Sequence, residues 1–518
     1  MSDQTSQLSL ISVVGFSGAD DTLLLHPDGR TLIYPLGSTV VLRDKNDPRA
    51  QEFLQGHTDR VSALALSKSG RYLASGQITY LGFAADIIVW DLTTRSLVKI
   101  QALSFSPDET VLASLGGADD NSIVLWNVAS GEPICGSPTN ADFVLRMAFL
   151  NHDNTKIVTA GNYNLRLWTY DSANNKLVPQ DAQLGQLQRM IRSLTVDSSD
   201  AFVYAGTTSG DVLQVSLDRV LLRNTGPAKA PLQRGATASA EAPIPDHLIV
   251  GGGDGALCLL RTAQEPSAAN PKRLKPMGVV ASVRLEGGVS SIVVEGGAGK
   301  GGAFSVLVGT QASNIYRVTY DATACKLSEE LLQTAHPDRI NALAFPAGYS
   351  EVFATAAAGC VRVWHLNSCR ELLRIAVPNL ECKCISFAVD GKSIISGWSD
   401  GKVRAFGPQS GKLLYTINDA HHKAVTAVAV TPDAGRIITG GEEGMVRVWR
   451  VSKGVATMEA SLKDHKGPVN CIAVNNGGGD EAASASSDGS VIIWDLTTHR
   501  RAAQGVARRG PRLTRGEA

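Results

Sequence analysis

The segment HKGPVNCIAVNNGGGDEAASASSDGSVIIWDL, residues 465–496, decides the fold. It contains three short runs rich in Val, Ile, Ala and Ser, and turns rich in Gly and Asp separate them. Such runs predict β-strands, and the Asp-Gly step before the last run predicts a tight hairpin. Because the chain offers no convincing long amphipathic helix, we predict an all-β protein built from small antiparallel sheets.

Segments of this kind recur along nearly the whole chain. In seven of them the last strand carries an aromatic residue, at Trp90, Trp126, Trp168, Trp364, Phe406, Trp449 and Trp494. Four weaker copies have Leu42, Val215, Leu260 or Val318 at that position. The copies mostly lie 42 to 48 residues apart, which matches the WD-repeat period of about 40 to 45 residues, with one propeller blade per repeat. The sequence therefore predicts eleven WD40 blades.

Eleven blades do not close naturally as one ring, and an open ring leaves blade faces unburied. We expect a seven-bladed WD40 β-propeller at residues 1–330 and a second, incomplete propeller of about four blades at residues 331–497. Residues 498–518 are expected to be a disordered basic tail. The segment at residues 8–16 is expected to be a strand that pairs with the last blade of the first ring and closes it.

Two stretches break the repeat. The spacing between Trp90 and Trp126 is only 36 residues, so part of that blade is expected to be missing. Residues 224–246 are rich in Pro and Ala, and this composition predicts an exposed loop between two blades.

Several repeats share polar residues at fixed places. These residues are His57 with Trp90; His422 with Thr439 and Trp449; and His465 with Ser484, Asp488 and Trp494. The residue types resemble a hydrolase triad, but a catalytic nucleophile is expected once, in a cleft. WD repeats use the same types as a buried network that ties the loop between blades to the strands. Because the set recurs, we predict structural networks, no catalytic residues and no enzymatic activity.

Composition excludes other classes of function. Lys plus Arg and Asp plus Glu both number 49, so the formal net charge is zero and no long-range field attracts nucleic acid. The N-terminus lacks the basic region of a signal peptide, and no apolar run approaches the roughly 20 residues of a membrane span. We therefore expect a soluble, intracellular protein.

The eight cysteines have no regular spacing, which fits a reducing compartment. Cys360, His365, Cys369, Cys382 and Cys384 lie close together in the sequence, and a zinc site among them is conceivable. They lack the paired CxxC ligands of such sites. We predict ordinary buried thiols, with no metal and no cofactor.

Some segments are more specific than the repeat pattern. They are LIYPLGSTVVL (32–42), FLQGHTDRVSALALSKSGRYLASGQITYLGFAADIIVWDL (53–92), ICGSP (134–138), GTTSGDVL (206–213), NTGPAK (224–229), SNIYRV (313–318) and RELLRIAVPN (370–379). These segments closely resemble the cilia and flagella associated WD-repeat proteins with two tandem propellers. The resemblance covers about residues 8–497.

The resemblance implies a microtubule inner protein. Such a protein is a non-catalytic scaffold inside the B-tubule of doublet microtubules near the inner junction, where it contacts tubulin and other inner-junction proteins and supports motility. It implies a place in the cytoplasmic cytoskeleton, at the axoneme of cilium or flagellum, without nucleic-acid or membrane partners. The alternative is a cytosolic WD-repeat adaptor, such as a ubiquitin ligase receptor or a ribonucleoprotein scaffold, because propellers serve many complexes.

Overall fold

The computed structural model describes residues 10–78, 87–93, 96–99, 104–116, 122–139, 144–227, 232–263, 266–267, 270–452, 454–475 and 477–506. The chain forms two compact units, unit 1 (Met1–Pro337) and unit 2 (Asp338–Ala518). In the described ranges the regular structure is antiparallel sheet, apart from one short 3-10 turn at Lys300–Gly302. No helix in these ranges has the length and apolar character needed to cross a bilayer.

In its described residues, unit 1 has seven four-stranded sheets, numbered blades 1 to 7 in chain order. Their strands are Leu24–Leu25, Thr31–Leu36, Thr39–Asp44 and Gln51–Gln55 in blade 1; Val61–Leu66, Tyr72–Gln77, Ile87–Asp91 and Ser96–Lys99 in blade 2; Ser104–Phe105, Val111–Leu115, Ser122–Asn127 and Pro133–Pro138 in blade 3; Val144–Phe149, Lys156–Gly161, Leu165–Asp171 and Lys176–Asp181 in blade 4; Ile191–Val196, Phe202–Thr207, Val212–Ser216 and Leu221–Gly226 in blade 5; Ala236–Glu241, His247–Gly252, Ala256–Arg261 and Gly278–Arg284 in blade 6; and Val289–Glu295, Phe304–Thr310, Ile315–Asp321 and Lys326–Gln333 in blade 7. A small hairpin, Pro266–Ser267 with Asn270–Leu274, is inserted in blade 6.

Unit 2 contains blades 8 to 11, and blades 8 and 9 share one six-stranded sheet. Its strands are Ala342–Ala344, Val352–His365, Arg370–Phe387, Ile394–Trp398, Val403–Phe406 and Leu413–Ile417 in blades 8 and 9; Val425–Val430, Arg436–Gly441, Val446–Ser452 and Val455–Leu462 in blade 10; and Val469–Val474, Glu481–Ser486, Ser490–Asp495 and Arg500–Val506 in blade 11. The first long strand bends back at Gly359, whose φ of 74° is in the left-handed region that favours glycine. Each long strand therefore supplies two strands to the blades.

The first strand of each blade is the innermost one. In unit 1 these strands contact each other from blade to blade in chain order, and the innermost strands of blades 7 and 1 also meet. The seven sheets thus form a closed ring. In unit 2 the innermost strands contact each other in series, from blade 8 to blade 11.

The seam where the ring of unit 1 closes is filled by the N-terminal segment. The Gln333 side chain, in the outer strand of blade 7, donates to the carbonyl of Gly15 at 2.9 Å. Val13 exchanges two hydrogen bonds of 2.8 and 3.0 Å with the side chain of Gln51 in blade 1. Phe16 is only 2% exposed and packs in an apolar cluster that residues of both blades share. The segment therefore ties the last blade to the first.

The strand predicted at residues 8–16 is wrong for residues 10–16, which form no strand, and residues 8 and 9 lie outside the described residues. The reason is geometric, because blade 7 already has its own outer strand at Lys326–Gln333. Closure uses side-chain hydrogen bonds and a buried aromatic ring instead of an added strand.

One ion pair links the seam to the far side of the ring. The N–H of Asp21 donates to the carbonyl of Ser290 in blade 7 at 2.9 Å. The Asp21 carboxylate lies 2.7 Å from Nε of Arg146, on the innermost strand of blade 4. Because blade 4 is opposite the seam in a ring of seven sheets, this pair spans the central channel. The Asp21 side chain is 46% exposed to the channel. Desolvation by the surrounding ring raises its pKa to about 6, although Arg146 acts in the opposite direction.

Two predicted boundaries change. The division after residue 330 falls inside the last strand of blade 7, Lys326–Gln333, and the compact units divide after Pro337 instead. The tail predicted to be disordered from residue 498 begins with the outer strand of blade 11, Arg500–Val506. Residues 500–505 of this strand are exposed, so the strand lacks the alternation of apolar and polar residues by which a half-buried strand is predicted.

Two predicted interruptions are also corrected. The blade between Trp90 and Trp126 has all four strands, although its innermost strand, Ser104–Phe105, is only two residues long. The loop predicted at residues 224–246 contains Ala236–Glu241, the innermost strand of blade 6. The small residues of this strand allow blades 5 and 6 to pack closely. Gly206 of blade 5 lies so near this strand that a Cβ added there would be 2.8 Å from the Cβ of Ala236.

Candidate functional site

The polar residues predicted in the last repeat form one buried network in blade 11. Nε2 of His465 lies 2.7 Å from Oγ of Ser484, and the indole N–H of Trp494 donates to the same oxygen at 2.7 Å. Nδ1 of His465 lies 2.8 Å from the hydroxyl of Ser490, which donates to Asp488 at 2.6 Å. Asp488 therefore reaches the imidazole mainly through Ser490, a residue that the sequence analysis missed.

Blade 10 contains the same arrangement, with one correction. His421, and not the predicted His422, places Nε2 2.8 Å from Oγ1 of Thr439 and Nδ1 2.7 Å from Glu443. Trp449 donates its indole N–H to Oγ1 of Thr439 at 3.0 Å. The side chain of His421 is fully buried, whereas His422 is exposed.

In blade 2 the network runs through Ser75 and Gln77, which the sequence analysis did not name. Nε2 of His57 lies 2.7 Å from Oγ of Ser75, and Trp90 donates to that oxygen at 2.8 Å. Nδ1 of His57 lies 3.1 Å from Oε1 of Gln77. Each histidine lies in the loop before an innermost strand, so each network ties that loop to the second and third strands.

The direction of the hydrogen bonds follows from the partners of each histidine. The carboxylate of Glu443 only accepts, so Nδ1 of His421 carries the proton and Nε2 accepts from the hydroxyl of Thr439. Burial lowers the pKa of His421, and the opposing effect of Glu443 does not cancel it. Burial acts to raise the pKa of Glu443, but hydrogen bonds from its own backbone N–H and from His421 lower it overall. The network is therefore a neutral imidazole beside a carboxylate.

A shorter version of the network occurs in four other blades. A tryptophan donates its indole N–H to a Ser or Thr hydroxyl at 2.7 to 2.9 Å, in the pairs Trp126 with Ser114, Trp168 with Thr159, Trp364 with Thr355, and Trp398 with Ser396. In the first three pairs the hydroxyl lies on the second strand, 9 to 12 residues before the tryptophan. This spacing is the sequence signal that identifies them. Trp398 is the exception because it lies on the second strand itself.

The five residues considered for zinc do not form a site. Cys360, Cys382 and Cys384 are buried, and burial raises the pKa of the Cys384 thiol to about 12. His365 bonds to a neighbouring serine hydroxyl at 2.9 Å. Among the residues that the structure describes, no group of three or more His, Cys, Asp or Glu side chains could hold a metal ion.

The networks of blades 10 and 11 are closed to solvent. The histidines of blades 10 and 11 have no exposed side-chain surface, and both of their ring nitrogens are hydrogen-bonded. The hydroxyl beside each ring also accepts a tryptophan N–H. A buried network in which both ring nitrogens are hydrogen-bonded fixes the position of the histidine.

Known proteins share the sequence over most of its length. A family model described as WDR54 matches residues 286–504, and one described as WD domain, G-beta repeat matches residues 49–91 and 94–127. The chain is 59% identical over 503 residues to Cilia- and flagella-associated protein 52 of Chlamydomonas reinhardtii, covering 95% of this chain and 78% of that protein. It is 44% identical over 510 residues to the human protein of the same name, covering 96% and 78%. WD repeat-containing protein 90 of Mus musculus is 26% identical over 537 residues, which cover 94% of this chain and 27% of that protein. The chain therefore belongs to the cilia- and flagella-associated protein 52 family.

Proposed function

We propose that this protein is a non-catalytic scaffold of cilia and flagella, a microtubule inner protein in the B-tubule of the doublet near the inner junction. The observation that carries the proposal is the 59% identity, over 95% of the chain, to a protein named as cilia- and flagella-associated. In this function the protein lies at the axoneme, contacts tubulin and neighbouring inner-junction proteins, stabilises the B-tubule and supports motility.

The architecture supports a scaffold. Unit 1 is a closed ring with a tied seam, and the blades are fixed internally by buried polar networks. Rigid elements carrying loops at their rims favour binding through many shape-dependent contacts. With a formal net charge of zero, such binding gains little from a long-range field.

The test is selective extraction of axonemes. A tagged copy of the chain is expressed in ciliated cells that lack their own homologue, and isolated axonemes are washed with high salt to strip proteins from the outer surface. We expect the chain to stay with the doublets and to cross-link to tubulin and to inner-junction proteins. Release in the salt wash would contradict the lumenal position. A stable complex in cells without cilia, together with its absence from axonemes, would favour the cytosolic adaptor.

A further inference from the structure

An open groove separates blades 8 and 9 at their outer side. It encloses about 520 Å³, a volume within the range of about 300 to 1,000 Å³ that is typical of binding clefts. Its walls are the turn after the innermost strand of blade 8, the outer strand of blade 8, and two turns of blade 9. The groove therefore lies wholly within unit 2.

Large apolar side chains surround the mouth of this groove. Tyr349 is 51% exposed, Leu372 is 57% exposed and Val389 is 42% exposed. Leu373 forms part of the floor and packs on the turn of blade 9, where a Cβ at Gly411 would lie 3.3 Å from it. Exposed apolar side chains that converge on a cleft mark an interaction site more strongly than the same residues scattered singly.

A β-bulge holds Leu372 outward. Leu373 pairs with Val363 and Glu371 pairs with Trp364, so Leu372 is the extra residue between them. Bulges re-aim side chains. The backbone register of blade 8 therefore leaves Leu372 without a partner residue on the neighbouring strand.

The corresponding seam of blades 1 and 2 in unit 1 carries polar and charged side chains that are already paired. Its cavity of about 380 Å³ contains His26, Asp28 and Arg71. A ring nitrogen of His26 lies 3.2 Å from the carbonyl of Gly70, Asp28 accepts three hydrogen bonds within its own turn, and Arg71 pairs with Asp91 at 3.2 Å. Polar groups satisfy each other in that seam. The groove in unit 2 differs because large apolar side chains are exposed at its mouth.

The charge at the groove is negative. Asp390 is the one charged residue that lines the described groove. Its nearest cation, Lys392, is 3.8 Å away and 84% exposed, and such a solvated pair contributes little. A second carboxylate, Glu351, accepts a hydrogen bond from the hydroxyl of Tyr349 at the mouth. A cationic group beside an apolar anchor would therefore complement this mouth.

We propose that this groove docks an extended peptide segment of a partner protein, which inserts a bulky aliphatic or aromatic side chain and places a Lys or Arg beside Asp390. Buried apolar anchors carry most of the energy in such interfaces, and charge complementarity adds specificity. The docking is independent of where the protein lies in the cell, so it goes beyond the proposed function.

The test uses labelled ten-residue peptides and the full chain. One set carries a central Leu, Ile, Met, Phe or Trp flanked by Arg, a second set replaces the Arg residues by Asp, and a third replaces the central residue by Ala. Fluorescence anisotropy should show saturable binding of at least one peptide of the first set, with at least tenfold weaker binding of its counterparts in the other two.

Variants locate the binding. Leu372→Asp should weaken it at least tenfold, and Asp390→Lys should make the Asp-flanked peptide the better ligand. Leu413→Asp is the matched control, because Leu413 is 55% exposed on the outer strand of blade 9 and does not line the groove; it should change nothing. Absence of binding by every Arg-flanked peptide, or equal weakening by Leu372→Asp and Leu413→Asp, would overturn the proposal. An unchanged charge preference in Asp390→Lys would overturn its cationic part.

Discussion

Units 1 and 2 are built from the same kind of blade but are held together differently. In unit 1 the ring closes, and Val13, Gly15 and Phe16 tie blade 7 to blade 1. Its described residues contain one histidine network, at His57. In unit 2 the blades contact each other in series, and both of the last two blades carry a histidine network. Contacts between blades and polar networks within blades are therefore separate sources of stability.

The largest effect is expected from Phe16→Ala, which acts on ring closure. Removal of a buried phenylalanine typically costs about 3 to 5 kcal/mol, and Phe16 is 2% exposed at the seam. Hydrogen-exchange mass spectrometry should show lower opening free energies in blades 1 and 7, with unit 2 unchanged. The control is Ile11→Ala, since Ile11 is 79% exposed. Equal protection in the two variants would show that the segment does not hold the ring.

The next effect is expected from His421→Ala, which acts on a network within unit 2. The substitution removes two buried hydrogen bonds, one to the carboxylate of Glu443 and one from the hydroxyl of Thr439, and a buried group that loses its partner costs about 1 to 3 kcal/mol. We expect about 2 to 4 kcal/mol of destabilisation in blades 10 and 11, and none in unit 1. His422→Ala is the matched control and should stay within about 0.5 kcal/mol. A larger effect at His422 would mean that the network histidine is His422, as predicted from the sequence, and not His421.

The stabilities of the two units should change with pH in opposite directions, because of His421 in unit 2 and Asp21 in unit 1. His421 has a lowered pKa in the folded state, so its folded form binds fewer protons than the unfolded chain, and unit 2 loses stability as the pH falls through about 6.5. Asp21 has a pKa raised to about 6 from 3.8. The folded form of unit 1 therefore binds more protons at this group, and stability is lost as the pH rises through 6.

Difference measurements isolate these two groups from the other carboxylates. As the pH rises from 5 to 7.5, the stability of unit 1 in Asp21→Asn should increase relative to that in the wild type. Over the same rise in pH, the stability of unit 2 in His421→Gln should decrease relative to that in the wild type. Unfolding midpoints in denaturant, followed by hydrogen exchange of each unit, report both changes. A shift of the same sign in both variants would refute the assignment.

The smallest effect on stability is expected from Leu372→Asp, the variant that should abolish peptide binding. Leu372 is 57% exposed and is the unpaired residue of a bulge, so its replacement should change the free energy of unfolding by less than about 0.5 kcal/mol. Thermal unfolding of the variant and of Leu413→Asp should agree with the wild type. A marked loss of stability would mean that Leu372 packs structurally and is not held for a partner.

The sequence predicted the networks in part, and its errors have physical causes. His421 and His422 are neighbours of equal type, and only the length of the loop decides which one reaches Thr439. The spacing along the sequence distinguishes them, because the histidine precedes the hydroxyl by 18 or 19 residues in all three networks. His422 is one residue too close to Thr439 for this spacing. Ser490 and Gln77 could not be predicted from a pattern with Asp at this place. Any side chain with an acceptor that reaches Nδ1 of the histidine can take the place of the Asp.

The repeat period and the alternation of β-branched residues determined by themselves that the chain is all-β and built from WD blades, because a period of two within strands and a fixed distance between turns depend only on local sequence. The tertiary structure alone decided how the ring closes, since that depends on where Gly15 and Gln333 meet across more than 300 residues. It also decided that Leu372 faces outward beside Asp390. A bulge and the packing of two blades create that groove, and neither is visible in a single strand.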